Sequence, residues 1–519
     1  MTLRSVDAVL KSGSDTESLC RRRLRRGWQG KVGSDGVKGQ AMRLQTPNLN
    51  RTYKVLALSR PLLVILLNLQ VCSLSFAASL RPNILFIVGD DMGYADVGFH
   101  GCKDIPTPNL NALAASGVRF TNGYVSGPYC SPTRAGLLTG RYQTRFGHEF
   151  NPGGASSGLP VTERTIADRL KAAGYVTGLV GKWHLGAQPQ FHPQKRGFDE
   201  FYGFLGGSHD YFKAAGVLRG TAPVTELDYT TDAFGREAVA FIERHKGERW
   251  FLYLAFNAVH TPMQATDGRL AKFPDEADEK RRTYDAMMLA MDEAIGRVRR
   301  KLVETGLERN TLVCFISDNG GPTMPGTTIN ASRNDPFRGS KRTTLEGGIR
   351  VPFLVSWPGH LEPGVFTPPA IQLDLPATAL AAAGVQVNRD AKLEGADLLP
   401  FLRSEKTGAP HDALYWRFGQ QMAIRLGDYK LVRYDSNADT LTGARNQPVT
   451  AARLYNLAAD TGETKDLAAA MPDKVTELQS KWDAWNGANV KPLWGGDGAR
   501  PGTPVAKKGK RARDASGNR

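Results

Sequence analysis

Cys130 opens the run CSPTRAGLLTG, which within five residues offers a thiol, a helix start and a fixed cation. Ser131 and Pro132 suit a first helical turn, because proline has no N–H to lose there and its φ is already helical. Arg134 follows four residues after Cys130 and so falls on the same side of the helix. A helix N-terminus presents free N–H groups and partial positive charge, which together attract anions. Alone, the run reads first as a small buried thiol ahead of an ordinary helix.

Other residues of catalytic type recur in one kind of place. NILFIVG ends in Asp90-Asp91, VTGLVGKWHLG in Lys182 and His184, WFLYLAFNAVH in His260, and TLVCFIS in Asp318-Asn319. The apolar runs before these residues read as central parallel strands. Adjacent carboxylates repel unless a cation or proton intervenes, although one of the pair could serve a turn or a cap. Lys182 and His184, two apart on an extended chain, point the same way. Lys341 arrives through a glycine-bearing turn ahead of a further strand, RVPFLVSW.

These strands alternate with helical patterns at 107–117, 163–175, 230–245, 276–306 and 371–384. In the longest, Tyr284, Met288, Met291, Ile295, Val298 and Leu302 form one apolar stripe that reads as core. Residues 192–212, rich in glycine and aromatics without clear period, read as a shaped loop. Beyond residue 400, ALYWRF, MAIRLGDYKLVRY and RLYNL alternate as antiparallel strands do, and 474–485 forms a last helix. The fold class is therefore α/β: a large, mostly parallel sheet flanked by helices, with a smaller C-terminal α+β subdomain. The expected division is 80–400 for the main domain and 401–495 for the subdomain.

In open α/β sheets ligands bind outside the carboxyl ends of the strands. Four strands finishing in polar residues at one edge, with Cys130 at a helix mouth beside them, point to a site there. Asp90, Asp91, Asp318 and Asn319 supply only oxygen, which suits Ca2+ or Mg2+ and disfavours structural zinc. Arg134, Lys182, Lys341 and the histidines make a cationic cradle, suited to a phosphate or sulfate ester.

The net charge of +16 in 519 residues sits mostly at the ends. Segments 1–41, 42–78 and 501–519 carry +5, +4 and +5, leaving +2 for the body, which argues against nucleic acid as a partner of the fold. The run PLLVILLNLQVCSLSFAAS, with basic residues upstream and small residues at Ala77, Ala78 and Ser79, has the three-part pattern of a secretory signal. It assigns 42–79 to export and the mature protein to a periplasmic or extracellular location. Met42 is then the expected start, 1–41 a non-native or disordered extension, and 496–519 a basic disordered tail. Signal removal leaves Cys102, Cys130 and Cys314, an odd number for an exported chain; Cys314, inside an apolar run, reads as a core thiol.

CSPTRAGLLTG resembles the signature of the type I sulfatases, in which a cysteine in a C-x-P-x-R context is oxidised to formylglycine. DDMG, GKWHLG, HTP, SDNGG and the Lys341-to-EGGIRVP segment resemble that family's other motifs, in its order, over residues 82–486. The resemblance implies an alkaline phosphatase-like fold and hydrolysis of sulfate esters. It implies that Cys130 becomes formylglycine, whose hydrate attacks sulfur with one hydroxyl and later expels sulfate with the other. Asp90, Asp91, Asp318 and Asn319 would hold Ca2+, with Mg2+ the second choice, and the modified Cys130 would complete the shell. Arg134 would steady the hydrate. Lys182, Lys341 and His260 would bind sulfate and help protonate the leaving oxygen, and His184 would assist elimination. Ser208 matches a position near the sulfate, and His209 beside it is a further expected substrate contact. Implied partners are a sulfated sugar or glycan, the formylglycine-generating enzyme and the export machinery. Two other readings stay open: a phosphonate monoester or phosphodiester hydrolase of the same superfamily, and a secreted binding protein with Cys130 unmodified.

Overall fold

The computed structural model describes residues 81–495 apart from 155–156, 326, 388–390 and 437–447. The chain divides between Ser73 and Leu74, and all described residues belong to the second unit. The readings of 1–41, 42–79 and 496–519 lie outside the described residues.

In chain order the strands are β1 (Asn83–Gly89), β2 (Gly117–Phe120), β3 (Gly123–Tyr124), β4 (Val176–Lys182), β5 (Glu200–Phe204), β6 (Leu218–Arg219), β7 (Ala222–Pro223) and β8 (Trp250–Ala255). They continue with β9 (Thr311–Ser317), β10 (Phe353–Ser356), β11 (Gly364–Phe366), β12 (Ala370–Ile371), β13 (Ala413–Phe418), β14 (Gln421–Leu426), β15 (Tyr429–Arg433) and β16 (Arg453–Asn456). The main sheet has ten strands in the order β11-β2-β10-β9-β1-β8-β4-β5-β6-β7. Its middle, β9-β1-β8-β4-β5, is parallel, while β10 runs antiparallel to β9 and β2. Val88 of β1 pairs with Ala255 and Ile316, and Gly181 of β4 pairs with Ala255, so four adjacent strands exit side by side. That register places the four polar strand ends at one edge.

Side chains alternate through the sheet, and both faces are covered, as a parallel sheet requires. Ile84, Phe86 and Val88 pack with Leu137, Leu138, Leu170 and Leu380, from helices Cys130–Thr139, Ile166–Ala172 and Asp374–Ala382. Leu85 and Ile87 pack with Phe234, Met288, Met291 and Ile295, from helices Thr230–Arg244 and Glu279–Glu304. The stripe from Tyr284 to Leu302 is buried throughout, each large side chain contributing about 1.5–3 kcal/mol. The C-terminal strands form a separate antiparallel sheet, β13-β14-β15-β16, against which helix Pro472–Gly487 lies.

Residues 192–212 are not all loop: Glu200–Phe204 is β5, paired in parallel with β4. Phe201, Tyr202 and Phe204 are buried there, and Gly203 has φ 155 with no room for a Cβ, which would meet the Gly181 oxygen at 1.9 Å. Such a glycine marks close approach of two backbones and breaks the alternation by which strands are recognised. The chain also leaves extended conformation earlier than its composition suggests: β8 stops at Ala255, and His184 lies beyond β4 with φ 60. Cys102, Cys130 and Cys314 are all free thiols, and Cys314 is buried within β9.

Candidate active site

The helix Cys130–Thr139 starts from an extended Tyr129 and stops at Gly140, whose φ of 69 suits a residue without a Cβ. All ten of its residues are buried, so its mouth is anchored. The Ser131 N–H donates to Asn151 Oδ1 (3.1 Å), and the Ser131 hydroxyl meets the His184 carbonyl and His148 Nε2, each at 2.6 Å. Cys130 Sγ lies 3.9 Å from Asp91 Oδ1.

Around that mouth the strand ends supply three carboxylates and Lys182, and the helix and the segment before Glu346 add Arg134 and Lys341, all buried. Arg134 donates Nε to Asp318 Oδ2 at 2.9 Å and approaches Asp90 Oδ2 at 3.7 Å. Lys182 Nζ donates to Asp90 Oδ2 at 2.5 Å. Lys341 Nζ donates to Asp91 Oδ2 (2.7 Å), which also accepts from Thr328 (2.9 Å), while Asn319 Nδ2 donates to Asp91 Oδ1 (2.8 Å). His260 Nε2 lies 3.6 Å from Asp91 Oδ2, and its Nδ1 donates to the Thr261 carbonyl at 2.6 Å.

Burial alone would raise the Asp91 carboxyl, but Lys341, His260 and the Asn319 hydrogen bond outweigh it and hold Asp91 well below the carboxylate range. Asp318 goes the other way, to about 6, because burial and the neighbouring Asp90 outweigh Arg134 and Lys182. Burial pushes the Cys130 thiol far up despite both lysines. Burial lowers His260 to about 4, and burial with Lys182 and Arg134 drives His184 well below its ordinary value. Both rings are therefore neutral at neutral pH.

The donor set fits a hard cation. Ligand atoms of Asp90, Asp91, Cys130 and His260 all lie within 4.8 Å of one another. Asp90 Oδ1 and Asn319 Oδ1 are buried acceptors with no protein donor, a state that calls for a cation or water.

Above this floor opens a cleft of ≈ 250 Å³, with Tyr129, His184, Ser208, His260, Lys341 and Arg342 among its walls. Ten expected residues thus converge at one edge: Asp90, Asp91, Cys130, Arg134, Lys182, His184, His260, Asp318, Asn319 and Lys341. Lys182 and Arg134 stand behind the walls, against Asp90 and Asp318. Ser208 lines the cleft; His209 is turned away, its ring nitrogens facing the carbonyls of Asp210 (2.6 Å) and Ala215 (3.0 Å). Sequence reasoning missed Tyr129, Asn151, Thr327, Thr328 and Arg342. Thr327 and Thr328 lie in a Gly/Pro/Thr segment without period, whereas Arg342 stood next to Lys341 and could have been flagged.

Fold and site together define a hydrolase of alkaline phosphatase-like architecture built for an anionic ester. Residues 82–385 match the sulfatase family model, and residues 339–481 match the model of the N-sulphoglucosamine sulphohydrolase C-terminal region. The chain is 36% identical over 379 residues to N-acetylgalactosamine-6-sulfatase of Sus scrofa, covering 67% of this chain and 71% of that one. It is 35% identical over 449 residues to arylsulfatase A of Bos taurus, covering 77% and 86%. The crystal structure of Ps i-CgsB, also solved in complex with k-i-k-neocarrahexaose, superposes with TM-score 0.73 at 37% identity, covering 80% of this chain and 94% of that one. The chain belongs to the sulfatase family, type I, and is a sulfatase that hydrolyses sulfate esters. Among the described residues, no helix is long and apolar enough to cross a membrane.

Proposed function

We propose that this sulfatase acts on a sulfated sugar or glycan, with formylglycine at position 130 and Ca2+ at Asp90, Asp91, Asp318, Asn319 and the modified Cys130. The observation that carries the reading is the state of Cys130. Its sulfur sits at an anion-attracting helix mouth 3.9 Å from Asp91, yet burial keeps the thiol protonated and so a poor nucleophile and a poor ligand. An oxygen nucleophile derived from it removes that conflict, and the hydrate of formylglycine supplies one. A divalent cation held there supplies polarisation of a substrate oxygen. The carbohydrate assignment is supported by the oligosaccharide complex of Ps i-CgsB and by the sugar sulfatases among the relatives.

The remaining work falls to the chain's own side chains. Arg134, fixed on Asp318, holds the helix mouth against the carboxylate floor. Lys341 and Ser208 face the cleft and meet the ester oxygens, while Lys182 adds positive potential from behind Asp90. His260 uses Nδ1–H on Thr261, so Nε2 carries the lone pair on the cleft side and can take and return a proton at the leaving oxygen. His184, neutral and packed against Gly207 with Nδ1 unpartnered, is placed to accept a proton during sulfate release. The domain division at residue 400, the export signal and a periplasmic or extracellular location belong to the same proposal.

Mass spectrometry of the peptide carrying residues 130–134, from protein made in its native host, tests the central step. The expected mass reflects replacement of the thiol by an aldehyde; thiol in all molecules would sink the proposal. Parallel turnover of an aryl sulfate and an aryl phosphodiester tests the substrate class, and the sulfate is expected to be the faster.

A further inference from the structure

Thr328 comes to the cleft from the segment between β9 and Lys341, outside any helix or strand, and its hydroxyl meets two members of the site. Thr328 Oγ1 lies 2.9 Å from Asp91 Oδ2 and 3.2 Å from Lys341 Nζ. An ammonium can only donate, and an ionised carboxylate can only accept. The hydroxyl therefore accepts from Lys341 and gives its own proton to Asp91, which fixes both of its directions.

The segment is tied down on each side of that contact. Upstream, the Ser340 hydroxyl accepts the N–H groups of Thr323 (2.9 Å) and Met324 (3.1 Å), and Ser340 is the residue before Lys341. The Thr327 N–H then donates to the Met324 carbonyl at 3.2 Å. Downstream, the fully buried Asn330 donates Nδ2 to the carbonyls of Asp91 (3.0 Å) and Val259 (2.9 Å), the latter next to His260. Asn330 Oδ1 accepts the Ser332 N–H at 3.1 Å, so that amide is used at both ends. One anchor thus grips the backbone of the very aspartate that Thr328 meets, and the other grips the neighbour of the lysine. None of these anchors involves the Thr328 side chain. Its hydroxyl supports no part of the loop and serves the site.

Lys341 is the side chain with most to gain from it. A lysine carries a compact charge on a flexible four-carbon stem, so a single partner leaves its ammonium free to swing. Asp91 at 2.7 Å and Thr328 at 3.2 Å hold Nζ from two directions, at the floor where the ester oxygens arrive.

We propose that Thr328 is a positioning residue for sulfate-ester hydrolysis, its hydroxyl bridging Asp91 and Lys341 so that the ammonium is aimed at the ester oxygens. The inference rests on the reading of Lys341 as a sulfate-binding cation and adds the group that orients it. The hydroxyl carries this role and the methyl does not.

Two variants separate the two groups. Thr328→Val keeps the side chain's shape without the hydroxyl, and Thr328→Ser keeps the hydroxyl without the methyl. Both are assayed on 4-nitrophenyl sulfate at saturating Ca2+. Tm and the fraction of molecules modified at residue 130 are measured on the same preparations, and rates are taken per modified molecule. Hydrogen bonds to charged groups are the strong class, so Thr328→Val is expected to lose about tenfold or more in kcat/KM. Inhibition by inorganic sulfate, which uses the same ammonium, is expected to weaken alongside. Thr328→Ser is expected to stay within about threefold of the wild type, since it retains the interaction made in the transition state. A residue that merely fills space gives the reverse order. Valine as active as serine, or more so, overturns the inference and leaves the sulfatase intact. Lys341→Met is the reference, and wild-type rates in that variant would overturn the reading of Lys341 beneath it.

Discussion

Arg134 donates Nε to Asp318 Oδ2 at 2.9 Å, and its Nη2 lies 2.8 Å from the same oxygen in an ion pair, with both side chains at 0% exposure. One ion pair thus ties the helix that begins at Cys130 to the exit of β9. Breaking a buried pair by removing one partner strands a charge and costs about 3–5 kcal/mol. Arg134→Met is expected to lower stability by that amount in urea unfolding, and to lower kcat/KM on an aryl sulfate by about 100-fold or more, the scale of losing one positioned electrostatic group. Arg134→Lys keeps the charge without the forked donors and should fall between. Wild-type stability in Arg134→Met would show that the pair does not anchor the helix.

Cation binding has a readout independent of turnover. Asp90 Oδ1 and Asn319 Oδ1 are buried acceptors that no protein group satisfies. Adding Ca2+ to chelator-stripped protein is expected to raise Tm, by the equivalent of about 2.7 kcal/mol at a hundredfold excess over Kd. Mg2+ should act more weakly, since it loses its water reluctantly and demands a stricter octahedron. Asn319→Leu and Asp90→Asn should each reduce the Ca2+-dependent shift. A Tm indifferent to Ca2+ in the wild type would refute the assignment.

Two buried groups away from the strand ends give pH dependences of opposite sign. Burial raises Asp285 to about 7 against the opposing pull of Arg281, whose Nε lies 3.0 Å away. The folded state then holds a proton that the unfolded chain releases near pH 4, so this group's contribution is present below that and is lost as pH rises to about 7. Burial lowers His148 to about 3, so the unfolded chain takes up a proton below about 6.5 that the folded state refuses, and stability falls as pH drops through that window. Measured as variant minus wild type, the Tm difference for Asp285→Asn should be more positive at pH 8 than at pH 5. For His148→Gln it should be more positive at pH 4.5 than at pH 7.5. Flat differences would contradict both.

The central strands and the clustering of their polar ends were legible because buried parallel strands are long apolar runs, and the residues after them interrupt those runs sharply. Asp90, Lys182, His260 and Asp318 could all be placed at one edge on that ground. What was not legible is where glycine replaces side-chain pattern with backbone contact. β5 hides behind Gly203, which sits against Gly181 without room for a Cβ. His209 looked equivalent to Ser208, yet the turn after β5 aims its ring at backbone carbonyls instead of the cleft. Thr328 reaches Asp91 from 237 residues away through a segment with no period at all. Contacts of that kind follow from the closed fold and leave no local trace.

The C-terminal sheet reaches the cleft through a second buried network, centred on Lys430. Its Nζ lies 2.8 Å from Glu346 Oε1 and 2.9 Å from Glu463 Oε1, with all three side chains fully buried. Burial would raise Glu346, but Lys430, Arg350 and Arg425 outweigh it and hold it down at about 2; Glu463 is raised by its burial. Glu463 Oε2 in turn accepts the Glu346 N–H at 2.7 Å, at the start of the turn of helix that follows Lys341 and Arg342. Lys430→Met leaves Glu463 without its cation and Glu346 with Arg350 and Arg425 only, and an expected loss of about 3–5 kcal/mol follows. Because the same residues hold the segment behind Lys341, kcat on an aryl sulfate should also fall, by up to about 100-fold for a displacement near 1 Å. Adding Glu463→Gln removes the charge so stranded. The double variant should therefore recover part of both losses, with a coupling of about 0.5–3 kcal/mol in a double-mutant cycle of unfolding free energies. Strictly additive effects would mean that Glu463 does not share the lysine with Glu346.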